Sequence, residues 1–388
     1  MSKADSLQTQ ELYKIVSQRI LAAPQERITF AEYMDLALYH PDKGYYASGA
    51  VGIGKEGDFF TAASLGADFG ELLAIQIVEM WHKLGCPEAF SVVEMGAGNG
   101  SLAADIISYL LSQETEFITA LRYIIIEKSP ALRKIQQQRL EKYQLIAWQD
   151  WQDILHSSVV GCMLSNELVD AFPVHLVTKQ EELKEVYLTS EDCTLKEIAG
   201  EFSNSRIKDY FELIEIDLTE DKYPEGYKTE VNIAALDWLG TVSSKLQQGY
   251  IITIDYGYDA PRYYHPQRSQ GTLQCYYQHR RHNNPYVNLG QQDITSHVNF
   301  TALQNYGEKL DLDTIGFIKQ GLFLMALGLG DRLSELSSGK FNAIEIFQRR
   351  DALHQLIDPM GLGGFGVLVQ GKGLTREQTS LRGTTIPQ

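Results

Sequence analysis

The chain has 388 residues, 44% hydrophobic and 22% charged, enough apolar material for a sizeable core and too much for wholesale disorder. Its formal net charge of −16 argues against a nucleic-acid partner, because such binders carry a basic face that neutralises phosphate. Four scattered cysteines (Cys86, Cys162, Cys193, Cys275) make no CxxC pair, which suits a reducing compartment and speaks against a structural zinc or disulfide framework. The longest nearly apolar run is Leu322 to Leu329, far short of the roughly 20 residues a spanning helix needs, so no membrane insertion is expected. The first 25 residues read neither as a signal peptide nor as a transit peptide, and a cytoplasmic location is expected.

Leu12, Ile15, Val16, Ile20 and Leu21 recur at helical spacing within residues 6–22. Thr29 and Glu32 stand at capping-box separation and open a second helix to Leu38. A glycine-rich loop follows, through Gly49, Gly52, Gly54 and Gly57, too long for a simple turn. A helix from Asp68 to Leu84 leads into alternating strands and helices. Strands are expected at Ser91–Met95, Tyr123–Ile126, Leu145–Trp148 and Val159–Ser165, with helices at Ser101–Leu111 and Ser129–Tyr143. That alternation predicts an α/β fold with a mostly parallel sheet covered on both faces, and runs such as Ile124-Ile125-Ile126 fit strands buried on two sides.

Residues 173–230 read as an insertion, with a hairpin at Val174–Thr178 and Glu185–Leu188 and a further strand at Phe211–Ile216. A helix at Glu230–Gln247 precedes the strand Tyr250–Asp255. Residues 257–296, rich in Tyr, Gly, Asn and His, are expected to form a long loop that covers the site as a lid. Helices near Phe300–Leu310 and Phe323–Leu336 and a strand at Phe365–Gln370 complete the chain, and residues from Leu374 look frayed. The organisation expected is an N-terminal helical extension with its glycine-rich loop (1–56), a catalytic domain (57–373) and a tail (374–388).

Chemistry concentrates at three strand ends. In Val92-Val93-Glu94-Met95-Gly96-Ala97-Gly98-Asn99-Gly100 an apolar strand ends in an acid, and glycines at alternate positions turn the chain into a helix at Ser101. Glycine permits positive φ and close backbone approach, and helix N-terminal amides favour an anionic group such as the carboxylate of a methionyl moiety. Glu94 can hold the adjacent ammonium. A dinucleotide fingerprint would need G-x-G-x-x-G or G-x-G-x-x-A, but here the last glycine comes one position early and Ser101 fills the final place. Glu127, about 27 residues beyond Gly100, ends the second strand and can accept both ribose hydroxyls of an adenosine ligand. These features point to S-adenosylmethionine (SAM), bound by Glu94, Gly96, Gly98, Gly100 and Glu127.

The third strand end carries Asn166, Glu167 and Asp170 in Ser165-Asn166-Glu167-Leu168-Val169-Asp170-Ala171-Phe172-Pro173. Polar side chains at the mouth of an apolar strand are costly to bury without a ligand or mutual hydrogen bonds. They are the expected catalytic residues. If the methyl acceptor is cationic, Glu167 and Asp170 would grip it and Asn166 would position acceptor or donor. The Tyr-rich segment, with Cys275 and His279-Arg280-Arg281-His282, lacks compact metal-ligand spacing, and no metal is expected.

With those residues in place the chain resembles the MidA family, the mitochondrial complex I assembly methyltransferases. The resemblance runs from about Ile28 to Gln370. It is carried by Tyr39-His40-Pro41-Asp42-Lys43-Gly44-Tyr45-Tyr46, Gly57-Asp58-Phe59, Phe69-Gly70-Glu71, the Glu94–Gly100 turn and Asn166 through Pro173. Asp255-Tyr256-Gly257, Gly271-Thr272-Leu273, His279, Asp293 through Phe300 and Met360 through Gln370 continue it. It implies a class I SAM-dependent fold with a seven-stranded sheet, and an activity on a protein arginine nitrogen. The partner it implies is a protein substrate presenting a cationic side chain. Asp58, in the Gly57-Asp58-Phe59 motif, joins the cofactor-binding candidates, and the glycine content of its loop and its length between two helical segments predict that the loop folds over the cofactor. Ala97 replaces a usual proline, and Thr61-Ala62-Ala63-Ser64 replaces Thr-Ser-Pro-Glu. A bacterial-type member is expected. The alternatives are a SAM-binding assembly factor without catalysis, a small-molecule methyltransferase and, less compatible with the glycine spacing, an NAD-linked oxidoreductase.

Overall fold

The computed structural model describes residues 3–47, 61–191, 194–278 and 280–385. Asp58, the Gly57-Asp58-Phe59 loop, Cys193 and His279 lie outside the described residues. The central element is a seven-stranded sheet: β1 (Phe90–Met95), β2 (Leu121–Ile126), β3 (Ile146–Gln149), β4 (Val159–Asn166), β5 (Leu246–Asp255), β6 (Asp313–Lys319) and β7 (Gly366–Lys372). Their order across the sheet is β6-β7-β5-β4-β1-β2-β3. β7 pairs antiparallel with both β5 and β6, whereas β5, β4, β1, β2 and β3 pair in parallel. Strand order reverses between β4 and β2, with β1 at the switch, where open α/β sheets leave a crevice beyond the carboxyl ends of the strands.

Successive residues of these strands feed opposite cores, as the twofold period of a strand requires. Val92, Leu164 and Ile252 pack with Leu72, Ile77, Ile106 and Phe323 on one face. Val93, Met163 and Ile251 pack with Leu239, Val242 and Leu303 on the other. The first core rests on helices α3 (Asp68–Lys83) and α4 (Ser101–Gln113), the second on a helix at Ile233–Lys245.

The N-terminal extension and the insertion share a second sheet. Helices α1 (Lys3–Ala22) and α2 (Phe30–Tyr39) flank a short strand at Ile28–Thr29, which pairs with Leu183–Glu191 through Ile28↔Leu188. The expected hairpin is present as His175–Lys179 and Leu183–Glu191, and Thr194–Gly200 extends it. Leu12, Val16, Tyr33 and Leu38 bury against Leu176, Val186 and Leu188. Thr29 caps α2 by accepting the Glu32 N–H at 3.1 Å.

Several elements differ from the sequence expectation. Phe211–Ile216, expected as a strand, belongs to a helix at Arg206–Leu213 and the turn after it. Ile207, Tyr210, Phe211 and Ile214 fall at i, i+3, i+4 and i+7 and are all buried, so burial on one helical face outweighs their aromatic and β-branched character. The helix expected from Glu230 starts at Ile233, because Lys228–Val231 pairs with His175–Lys179 and Asn232 accepts the Ala235 N–H. The helix expected over Phe323–Leu336 is two, Gln320–Leu327 and Leu329–Glu335, broken at Gly328, whose φ is +110°. β6 and a helix at Ala343–Ile357 were not anticipated. The segment 257–296 is not a loop: it holds a helical turn at Ala260–Tyr263 and a three-stranded antiparallel sheet of Gln274–Tyr277, Arg280–His282 and Asp293–Thr295.

The tail is anchored rather than frayed as far as residue 385. Leu381 is 1% exposed, the Gly383 N–H donates to Gln76 Oε1 at 3.0 Å, and Tyr250 donates to the Gln378 carbonyl at 2.9 Å. Leu381→Ala should therefore lower unfolding stability by about 2–5 kcal/mol, as for other buried leucines. An unchanged urea midpoint would show that the tail contributes nothing. Among the described residues no helix is long and apolar enough to cross a membrane.

Candidate active site

A cleft of about 310 Å³ opens at the carboxyl ends of β1, β2 and β4. β1 delivers Glu94 and the glycine turn. Gly96 and Gly98 have φ of +69° and +55°, left-handed values that side chains disfavour, and a Cβ on Gly96 would stand 2.7 Å from Leu168 Cδ1. Both glycines line the cleft with Asn99 and Ser101. Gly100, at φ +81°, caps α4, and a Cβ there would stand 3.1 Å from Leu140 Cδ1.

Glu94 is buried, accepts the Tyr123 hydroxyl at 2.8 Å, and is pushed up to about 7 by loss of hydration, with the Tyr123 bond opposing. Glu127, at the end of β2, accepts the Ser129 N–H at 2.8 Å and the Gln136 amide at 2.9 Å, and burial raises its carboxyl against those bonds. The same Gln136 amide donates to the Gly98 carbonyl at 2.9 Å, while its carbonyl accepts Trp148 Nε1–H at 3.0 Å. Gln136 thus ties the glycine turn to the acid of β2. Sequence reasoning missed it, although one signal was present: a glutamine midway between Leu132 and Leu140 on the apolar side of the helix Pro130–Leu140. Trp148 serves as its hydrogen-bond partner.

Across the cleft β4 ends in Asn166 and Glu167. Glu167 has φ +51° and its N–H donates to the Ile254 carbonyl at 2.8 Å, a strained turn that aims its side chain into the cleft beside Asp170. Asn166 Nδ2 donates to Glu167 Oε1 at 3.3 Å. Asp170 is seated from β5: Asp255 Oδ2 accepts the N–H groups of Val169 and Asp170 at 3.0 and 3.3 Å, and Tyr256 donates to Asp170 Oδ2 at 2.6 Å. Among the described residues, Asp170 Oδ1 and Asn166 Oδ1 are buried acceptors without a donor. Burial, then the neighbouring Asp170 charge, pushes Glu167 up to about 8, and burial pushes Asp170 up to about 6. Asp255 is raised well above its ordinary range by burial and by these two carboxylates. Asp255 and Tyr256 are the supporting residues the sequence left without a role. From the N-terminal extension, Tyr39 donates to the Ala171 carbonyl at 2.9 Å and stacks on Tyr46, which donates to Asp293 at 2.9 Å. Tyr39, Tyr46 and Asp293 complete the wall.

The structure therefore brings Glu94, Gly96, Gly98, Glu127, Asn166, Glu167 and Asp170 to one cleft. The sequence model of a family of S-adenosyl-L-methionine-dependent methyltransferases matches residues 72–318. The chain belongs to this family. Its relatives include the mitochondrial protein arginine methyltransferase NDUFAF7 homolog of Drosophila melanogaster, 28% identical over 87% of this chain and 79% of that protein. The human protein arginine methyltransferase NDUFAF7 is 26% identical over 80% of this chain and 72% of its own. A crystal structure of a Burkholderia thailandensis protein bound to S-adenosyl-homocysteine has a TM-score of 0.85 at 30% identity, covering 99% of this chain and 96% of that one. The resemblance to the MidA family and the expected class I fold hold, and the chain is a SAM-dependent methyltransferase. The cleft suits that cofactor by its own chemistry. It offers one acid that a cation would keep ionised, one acid open to hydroxyl donors, and a turn whose backbone a ligand can approach closely.

The raised carboxyls of the site predict a pH-dependent stability. Glu94, Glu167 and Asp170 bind protons more tightly folded than unfolded, so the folded state holds more protons between their ordinary values and about 6 to 8. Stability then falls as pH rises through that window and levels off above it. Ligand-free protein should melt at a lower temperature near pH 8 than near pH 5.5, and Glu167→Gln should flatten the difference. An equally steep profile in that variant would refute the assignment to Glu167.

Proposed function

We propose that this chain transfers the SAM methyl group to a guanidinium nitrogen of an arginine on a protein substrate. The observation that carries the reading is the acceptor end of the cleft, where Glu167 and Asp170 lie together with two buried oxygens, Asp170 Oδ1 and Asn166 Oδ1, that have no donor among the described residues. Buried acceptors left unpaired cost roughly 1–3 kcal/mol each. A guanidinium presents five N–H donors and no acceptor, with a positive charge and a fork that matches carboxylates. It answers all three features of the site, whereas a neutral hydroxyl acceptor answers none of the charge. The names of the relatives agree with this choice.

When bound, SAM supplies an electrophilic methyl group on a sulfonium. Glu94 holds its ammonium, the Gly96–Gly98 turn with Asn99 and Ser101 holds its carboxylate, and Glu127 accepts the ribose hydroxyls. Asp58, outside the described residues, joins them through the loop expected to fold over the cofactor. Glu167 and Asp170 grip the guanidinium and point one nitrogen at the methyl group. The raised affinity of Glu167 for a proton suits it to take the one that nitrogen releases. Catalysis then comes mainly from proximity and orientation. The substrate is a cytoplasmic protein, and nucleic acid has no part in the reaction, in keeping with the charge of −16.

The test is methyl-label transfer from radiolabelled SAM into a lysate lacking this protein, followed by hydrolysis and amino-acid analysis. A labelled protein band yielding methylarginine is expected. Label confined to small molecules would replace the reading with a small-molecule methyltransferase.

A further inference from the structure

A second cavity, of about 300 Å³, lies at the far end of the small sheet that helps wall the cleft. Strand Gln274–Tyr277 pairs with Asp293–Thr295 through Tyr276↔Asp293 and Gln274↔Thr295. Asp293 lines the cleft, whereas Gln274 lines the second cavity. Two carboxylates and three cations face the latter. Glu230, on its wall, is already satisfied: it accepts the N–H groups of Thr272 and Leu273 and the hydroxyls of Thr272 and Tyr263, all within 3.1 Å. Gly271, at φ +73°, allows this wrap, since a Cβ there would collide with that carboxylate. Lys228 is ion-paired with Glu197. Arg268 and Arg281 remain, and neither has a carboxylate within ion-pair distance among the described residues. Among the described residues Arg268 Nε is moreover buried without a hydrogen-bond partner.

Arg268 connects to the acceptor site through a row of rings. Arg268 Cζ lies 4.6 Å from the centroid of Tyr258, and Arg262 Cζ 4.4 Å from it. Tyr258 stacks on His297 at 4.9 Å, His297 meets Tyr256 edge-on at 5.0 Å, and Tyr256 donates to Asp170. His297 is pushed down to about 4 by burial and by Arg268, Arg281 and Arg262, so it stays neutral beside them and adds no further positive charge. In a chain with sixteen surplus negative charges, Arg268 thus stands three ring contacts from the tyrosine that donates to Asp170.

We infer that the cavity at Arg268 and Arg281 is a docking subsite for an acidic side chain of the substrate segment, roughly four to six residues along an extended chain from the methylated arginine. The inference rests on the arginine reading for its geometry. The partner is an acidic peptide rather than RNA. The cations are few, and Tyr258, the nearest aromatic, is already covered by His297 and two guanidiniums and offers no platform for base stacking. Arginine forks bind carboxylate in bidentate fashion, which fixes register as well as affinity.

The experiment measures fluorescence anisotropy with labelled synthetic peptides carrying one arginine and, about five residues away, either two glutamates or two glutamines. Wild-type protein with SAM should bind the glutamate peptide on the order of 10-fold more tightly. Arg268→Ala/Arg281→Ala should bind both peptides alike, with calorimetric SAM affinity unchanged, which excludes misfolding. No preference in the wild type, or a preference retained by the double variant, overturns the subsite. So does tighter binding of a mixed-sequence single-stranded RNA that the double variant loses. Citrulline in place of arginine separates the two readings. Glutamate preference that survives the exchange, with no methyl transfer to the arginine peptides, keeps the subsite and retires the arginine acceptor. Methyl transfer without glutamate preference does the reverse.

Discussion

Glu167→Gln is expected to lower methyl transfer by roughly 30- to 1000-fold while SAM affinity stays within a few-fold. The substitution preserves shape and the bond from Asn166 Nδ2, and removes one negative charge from the end of the cleft facing the acceptor. Losing a charged hydrogen bond to a buried cation costs on the order of 2–4 kcal/mol, which sets that range. Cofactor affinity is spared because Glu94, on β1, and Glu127, just after β2, are the expected cofactor contacts, whereas Glu167 follows β4. Single-turnover transfer from labelled SAM, beside calorimetric titration of SAM, reads the two quantities separately. Equal loss in both would place Glu167 among the cofactor contacts. The same variant distinguishes catalysis from assembly without chemistry. A deletion strain restored by Glu167→Gln at normal abundance, with no transfer detectable from the wild type, would leave a SAM-binding assembly factor.

Asp170 should be more sensitive to its support than Glu167 is. Tyr256 donates to its Oδ2, and Asp255 holds the turn that presents it. That arrangement spans two strand ends and a hydrogen bond of sequence separation 86, which no local pattern reports. It also explains why the third strand end was legible while its scaffold was not. Asn166, Glu167 and Asp170 are conspicuous as polar residues closing an apolar strand, but Asp255 and Tyr256 look like an ordinary strand exit.

The same contrast runs through the fold. The βαβ part was readable because its strands are unbroken apolar runs and its helices carry clear periodicity; β1, β2 and β4 fall within two residues of where the sequence puts them. The decorated part was not. Gln274–Tyr277 and Arg280–His282 are edge-like, short and polar, and become strands only by pairing with each other and with Asp293–Thr295. Lys228–Val231 is taken up by the insertion's sheet before the helix can start. In each case long-range pairing overrides a local preference. Gln136 follows the same logic, since its importance comes from joining Gly98, Glu127 and Trp148, residues that only the fold brings together.

That junction makes Gly98→Val the substitution expected to damage cofactor binding most. Gly98 sits at φ +55°, and its carbonyl is fixed by Gln136, so the turn cannot relax by rotating the peptide without breaking that bond. A β-branched residue in the left-handed region costs roughly 1–3 kcal/mol in strain, and its side chain enters space the ligand needs. Strain relieved by moving the turn would also displace Glu127, because the same glutamine amide holds both. The loss therefore compounds, and SAM affinity should fall beyond calorimetric detection, by more than about 100-fold. The fold should persist, since the sheet's cores lie behind the turn on both faces, and far-ultraviolet circular dichroism should be unchanged. Gln136→Ala offers the graded control. It removes the tie without adding bulk, and should weaken SAM by a smaller factor, about 10-fold for one or two lost hydrogen bonds. Unchanged affinity in Gly98→Val, with the fold intact, would mean that the cofactor does not lie against this turn.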